Sequence, residues 1–333
     1  MKIGFPHKPQ QHGGPGSFQM RFENALKERG WTVVYPEENI HPDVILVVGG
    51  TKRLSWLWKN KRKGTKVIHR LDGLDWRVWR LPISLRKKIW TRMLDYLLRV
   101  IRDCFADHIV YQSEFVKWHW ERFAGCSPND SSVIYNAVDL KEFYPIAFSG
   151  EKKKLVCVEG EIQDSRAYYE PIISLSSHLQ NKGLISRTIV CGDVKSAKIK
   201  SALKREATIE LKGRVPRTEI PAVFHNAVYL PIEVHPPCPN SVIEALACGT
   251  PVIGYDTGAL KELVPDSAGK IVAYGTNPWK LEVPDNAALF SAAEKVLNQW
   301  DEYSAGARKV AEEKYNINDL ADKYLDVIRQ VLN

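Results

Sequence analysis

Short apolar, β-branched runs alternate with helix-period segments from one end of this chain to the other, and few folds accept such a pattern. Val44–Val48, Lys66–His69 and His108–Tyr111 read as buried strands, with helical segments over 17–28 and 84–104 between and around them. The series pauses over 139–154, a polar and aromatic stretch with Pro145, Ser149, Gly150 and three consecutive lysines. It resumes with Leu155–Val158, Arg187–Cys191, Val228–Pro231 and Pro251–Gly254, and closes with helical segments over 286–333. Strands alternating with helices predict parallel sheets covered on both faces. At 333 residues the chain exceeds one ordinary core. The simplest reading is therefore two successive doubly wound α/β domains joined near residue 150.

One segment carries chemistry in its order of residues: Pro239-Asn240-Ser241-Val242-Ile243-Glu244-Ala245-Leu246-Ala247-Cys248-Gly249-Thr250-Pro251-Val252-Ile253. Asn240 or Ser241 is suited to cap a helix, with Glu244 just inside it. Gly249 ends that helix and Pro251 blocks its continuation into the next strand. A helix start offers backbone N–H groups and a positive dipole end, which suits a diphosphate. Generic physics alone leaves this stretch open between a well-capped structural helix and a phosphate site.

Together with Gly258 and Glu262-Leu263-Val264, the segment resembles the signature of glycosyltransferase family 4, retaining enzymes of the GT-B type. Three further stretches occur in the family's order. Ala106–Val110 with Ser113 is one, and Ser131–Asp139 with Phe143 and Pro145 is another. The third, Leu211–Val215, is similar to the family's phenylalanine-Gly-x-Val turn. The resemblance implies two Rossmann-like domains facing across a cleft. Residues 1–147 would form the acceptor-side domain, with helix 317–333 packing back on it, and 148–316 the nucleotide-sugar domain. It implies that Glu244 binds the nucleotide ribose, that the backbone of Asn240 and Ser241 faces the diphosphate, and that Gly213 and Arg214 lie near the base. The family's second glutamate, eight positions before Glu244, is Pro236 here, which leaves Glu233 or His235 to take over its sugar contact. Where the family places an arginine after the first strand of this domain stands Glu161, and Arg166 is the nearest cation.

In the N-terminal half, Gly13-Gly14-Pro15-Gly16 precedes a helix expected to begin near Ser17. Glycines there allow either a bare tight turn or close approach of backbone to a ligand, and the family's equivalent loop favours Gly13, Gly14 and Gly16 as substrate contacts. The run is neither a dinucleotide fingerprint nor a Walker loop. His69-Arg70-Leu71-Asp72-Gly73 closes the fourth strand, at the sheet edge where open α/β folds bind ligands. By the resemblance, His69 and Asp72 are the candidate catalytic pair, facing sugar or acceptor.

The implied reaction moves a sugar, with retention, from a nucleotide-diphosphate donor to an acceptor hydroxyl in glycan or glycolipid assembly. Two alternatives share the fold: a domain that binds nucleotide sugar or glycan without turnover, and a nucleotide-sugar epimerase. No Asp-x-Asp motif occurs, so neither a metal nor any resident cofactor is expected.

Net charge is +8 and the excess lies in the first third, in Lys59–Lys63 and Arg86–Lys88. Trp56, Trp58, Trp76, Trp79 and Trp90 interleave with these cations. Three readings stay open: tryptophans filling the core, docking on an anionic membrane face, or stacking on sugar rings or bases. No recognised nucleic-acid module accompanies them, so nucleic acid is not an expected partner, whereas a glycan or lipid-linked acceptor is. The six cysteines are scattered and read as small buried hydrophobes. With no signal-peptide pattern and no run near the ~20 apolar residues of a membrane span, the expected location is cytoplasmic, with peripheral contact to the membrane face.

Overall fold

The computed structural model describes residues 1–9, 13–146 and 152–333. It divides into one unit of residues 1–79, 83–137 and 317–333 and a second of residues 80–82 and 138–316. The expected boundary between 147 and 148 lies outside the described residues.

The first unit runs β1 (Lys2–Gly4), α1 (Gly14–Glu28), β2 (Thr32–Val34), β3 (Val44–Val48), α2 (Leu54–Lys61), β4 (Lys66–Leu71), α3 (Leu85–Val100), β5 (His108–Tyr111), α4 (Glu114–Ala124) and β6 (Asp130–Val133). Its strands form one parallel sheet in the order β2-β1-β3-β4-β5-β6. The second unit runs β7 (Lys153–Glu161), α5 (Arg166–Asn181), β8 (Ile185–Asp193), α6 (Ala197–Arg205), β9 (Ile209–Gly213), α7 (Ile220–Phe224), β10 (Ala227–Tyr229), α8 (Asn240–Ala247), β11 (Val252–Tyr255), α9 (Leu260–Leu263), β12 (Gly269–Val272), α10 (Ala287–Asn298) and α11 (Trp300–Lys314). Its strands, again all parallel, take the order β12-β11-β10-β7-β8-β9. The order in which strands are added reverses between β1 and β3 in the first sheet and between β7 and β10 in the second. Ligands of open α/β sheets bind outside the carboxyl ends of strands at such switch points.

Alternation along the strands explains why both faces are covered. Val44 and Leu46 of β3 join a core with α1, while Ile45 and Val47 point to the opposite face, against Leu57 of α2. The last helix, α12 (Ile317–Leu332), belongs to the first unit. Its buried face, Leu320, Ala321, Tyr324, Leu325, Val327 and Ile328, recurs at helical spacing. Tyr324 packs between Phe18 and Phe22 of α1, with ring centroids 5.6 and 4.9 Å away. Fully burying each such large side chain stabilises by about 1.5–3 kcal/mol.

Four local features differ from the sequence expectations. Helix α1 begins at Gly14, so Gly14, Pro15 and Gly16 form its first turn. Gly13, at φ 90°, makes the bend before it, and the fixed φ of Pro15 suits a helix start. The segment over 84–104 is α-helical only to Val100 and finishes in a wider turn over Ile101–Phe105, in which the Ala106 N–H donates to the Ile101 carbonyl. Neither Asn240 nor Ser241 caps α8. Pro239 holds that position and Asn240 is the first helical residue. Finally, Cys157, Cys191, Cys238 and Cys248 are buried as expected, but Cys104 and Cys126 are exposed.

Candidate functional site

In the second unit, the sequence candidates gather on the loops that leave the carboxyl ends of the strands. The stretch after β10 brings Glu233, His235, Asn240, Ser241 and Glu244 onto one loop and one helix, beside the β7/β10 switch point. Ser241 turns its hydroxyl inward, where Oγ accepts a 2.8 Å hydrogen bond from the hydroxyl of buried Tyr229. Tying down that side chain fixes the first turn of α8, whose leading backbone N–H groups have no partner within the helix. The Asn240 Oδ1 is buried there without a hydrogen-bond partner. Glu244, half-buried, lies on α8 just beyond its first turn.

The loop into α8 is held by a second set of contacts. His235 has φ 56°, in the left-handed region. Its Nδ1 accepts from the backbone N–H of Gly258 at 3.1 Å, which places the proton of the neutral ring on Nε2. The ring stacks on Trp279, centroids 3.9 Å apart. Glu233 lines a small cavity with Tyr255, Thr257 and Tyr274. At the end of β7, Glu159 Oε1 accepts from the Ile232 N–H at 3.3 Å, joining the two strands that flank the switch point.

Glu161 pairs with Lys195, so its charge is neutralised locally rather than presented bare to an incoming diphosphate. Arg166 opens α5, is largely exposed and engages Glu170 at 3.0 Å. At the end of β9, Gly213 adopts φ 68° and Arg214 pairs with Asp193 at 2.7 Å. Among the described residues, no group of three or more His, Cys, Asp or Glu converges as a metal site.

In the first unit, His69 lies within β4 and is fully buried, with no face toward open solvent. Its Nε2 donates to the Gly49 carbonyl at 2.8 Å, so it holds the loop after β3. Asp72 is committed to Arg70, a guanidinium only 1% exposed that donates to its Oδ1 at 2.7 Å. Arg70 also reaches Gln112 and Asn136, at 2.9 and 2.6 Å, and lies 4.0 Å from the centre of the Phe18 ring. These contacts fix both members of the expected pair at the carboxyl end of β4, His69 beneath the surface and Asp72 partly exposed. The loop after β1 is tied by His7, whose Nε2 lies 2.8 Å from Thr51 Oγ1, and by Gln19, which donates to the His7 carbonyl at 2.7 Å. Gly13, Gly14 and Gly16 follow this loop, where α1 begins.

Burial lowers the His69 pKa to about 4, against 6.5 in the unfolded chain. Folded His69 thus stays neutral while the unfolded residue takes up a proton as pH falls below 6.5. The stability it contributes is complete above pH 6.5 and is lost toward pH 4. A His69→Gln variant, which does not titrate, is expected to gain on the wild type by of order 1 kcal/mol between pH 7 and 5 in paired urea titrations. A constant difference across that range would refute the assignment.

Comparison with known proteins agrees with the fold. The model described as Glycosyltransferase Family 4 matches residues 5–142, and the one described as Glycosyl transferases group 1 matches residues 172–299. No curated protein sequence matches. A solved sucrose-phosphate synthase from Thermosynechococcus elongatus superposes with TM-score 0.76 at 16% identity, over 99% of this chain and 98% of that one. Anabaena HepE, solved with UDP and glucose, gives 0.71 at 13% identity, over 99% and 100%. WaaG, a glycosyltransferase involved in lipopolysaccharide biosynthesis, gives 0.65 at 13% identity, over 98% and 99%. The fold is GT-B: two parallel six-stranded sheets with their helices.

Proposed function

Because the chain belongs to the group 1, family 4 glycosyltransferases, we propose that it transfers a sugar from a nucleotide-diphosphate donor to an acceptor hydroxyl, with retention at the anomeric carbon. The observation that carries this reading is the start of α8 beside the β7/β10 switch point, with Asn240 Oδ1 buried and unpartnered at its head and Glu244 beyond its first turn. The backbone N–H groups of Asn240 and Ser241 stabilise the charge that grows on the departing diphosphate. Glu244 accepts from the ribose hydroxyls, and Gly213 and Arg214 border the base. Glu233 and the anchored His235 take the sugar contact that Pro236 cannot make, and Arg166 supplies the nearest cation to the diphosphate. No resident metal or cofactor enters the scheme. The acceptor, a glycan or a lipid-linked saccharide, is assigned to the first unit, where Gly13, Gly14, Gly16 and Asp72 stand at the sheet edge and His69 acts from beneath. Glycan or glycolipid assembly follows as the setting, and HepE with UDP and glucose supports a uridine donor.

The test is a thermal-shift comparison of UDP-, GDP- and ADP-sugars, followed by product analysis with glycan and lipid-linked acceptors. One donor class is expected to raise the unfolding midpoint, since about 100 Kd of ligand adds about 2.7 kcal/mol. A bound nucleotide with no transfer from any donor pool would instead establish binding without turnover. Conversion of the donor sugar without acceptor would establish an epimerase.

A further inference from the structure

Helix α3 is amphipathic, yet none of its residues is buried. Leu85, Ile89, Met93 and Tyr96 are separated by four, four and three positions and so share one stripe, and they are 68%, 53%, 58% and 69% exposed. Beside the stripe, Trp90, Leu94, Leu97 and Val100 form an apolar groove with Trp79 and Leu54. A monomeric water-soluble surface rarely leaves so continuous an apolar patch uncovered.

The rim of this patch is cationic. Arg86, Lys87, Lys88, Arg92 and Arg99 lie on α3 itself, against the single carboxylate Asp95. Three half-exposed tryptophans each carry a cation over the ring: Lys52 over Trp90 at 4.8 Å, Lys88 over Trp79 at 5.7 Å and Arg62 over Trp58 at 4.6 Å. Of the three readings left open by the sequence, filling of the core is thereby excluded for these three tryptophans, whereas Trp56 packs against a core cluster. No helix among the described residues is long and apolar enough to cross a membrane.

We propose that the exposed face of α3, with Trp79 and its cationic rim, docks on an anionic lipid bilayer. Leu85, Ile89, Met93 and Tyr96 enter the acyl boundary while the lysines and arginines meet lipid phosphates. Charge complementarity selects this occupant: five cations beside an apolar stripe fit an interface that is apolar within and negative above. Aromatic side chains with polar or charged neighbours settle at the headgroup level. The proposal rests on the glycosyltransferase reading only for its purpose, delivery of the chain to a lipid-borne acceptor, and its residues are separate from those of the donor site.

The experiment is co-sedimentation of the full chain with vesicles of phosphatidylcholine alone, or with phosphatidylglycerol added, at low and moderate salt. Expected is partitioning to the anionic vesicles that weakens as salt rises. Ile89→Ser with Met93→Ser should reduce partitioning at least ten-fold. Lys87→Gln, Lys88→Gln and Arg92→Gln together should reduce it by about five-fold per charge and flatten the salt dependence. The thermal shift with nucleotide sugar, measured on each variant, shows that its fold and donor site are intact. Loss of that shift in the wild type would sink the proposed function, not the docking. Three outcomes would overturn the docking: no partitioning of the wild type, equal partitioning of the variants, or self-association through this face without vesicle binding.

Discussion

Replacing Glu244 by alanine is expected to lower kcat/KM for sugar transfer about 100-fold while leaving the fold intact. The side chain is only half-buried and sits within α8, where alanine has the higher helix propensity, so helix propensity does not oppose the change. On the proposed reading, what disappears is a charged acceptor for two ribose hydroxyls. Hydrogen bonds to a charged group contribute about 1.5–3 kcal/mol each, and two of them, partly offset by water, correspond to two decades in rate or affinity. Because the ribose is bound equally before and during transfer, the loss should fall mainly on KM and on the donor-induced thermal shift. Glu244→Gln, which still accepts one bond per hydroxyl but carries no charge, should recover part of the affinity. A drop in kcat with unchanged KM would contradict a ribose role and point to a group that acts at the anomeric carbon.

How much of this was legible in the residues depends on the range of the contact. Val44–Val48 and His108–Tyr111 are strands with the bounds that their β-branched runs suggest, since a parallel strand buried on both faces must be apolar throughout. The α8 stretch was readable because its proline, glycine and second proline punctuate a helix locally. The partners of Arg70 were not: Gln112 and Asn136 stand 42 and 66 positions away, and no local spacing announces them. His69 lies within β4 and Asp72 just after it, but the burial of His69 and the commitments of the two side chains to Gly49 and Arg70 are set by contacts beyond their own segment. Glu159, His7 and Thr51 escaped notice for the same reason. Each is ordinary in its own segment, and only the sheet order brings it to a switch point. The exposure of α3 was equally hidden, because an apolar stripe at helical spacing predicts burial unless the covering element is missing.

Gly258→Ala is expected to produce a large loss of stability at the loop that leads into α8. Gly258 sits at φ +58°, and a Cβ built there would lie 2.4 Å from the Pro236 carbonyl oxygen and 2.5 Å from its nitrogen. Both obstacles are backbone, so no rotamer change relieves them, and the left-handed conformation adds strain of its own. Relief requires the 235–239 loop to move, yet the Gly258 N–H donates to His235 Nδ1 and the Ala259 N–H donates to the Pro236 carbonyl at 2.9 Å. Destabilisation of about 2–4 kcal/mol follows, a fall of roughly 5–15 °C in unfolding midpoint for a unit of this size. The same shift would carry Pro239 and the head of α8 with it, so nucleotide-sugar binding should weaken even at temperatures where the variant remains folded. Gly213→Ala provides the contrast. Gly213 also has positive φ, at +68°, but its added Cβ meets nothing within 4 Å. Only the conformational cost remains there, about 1 kcal/mol. Calorimetry on both variants, with and without donor, separates the two: equal losses would show that the clash with Pro236 does not constrain the loop, and that α8 is positioned by Tyr229 and Ser241 alone.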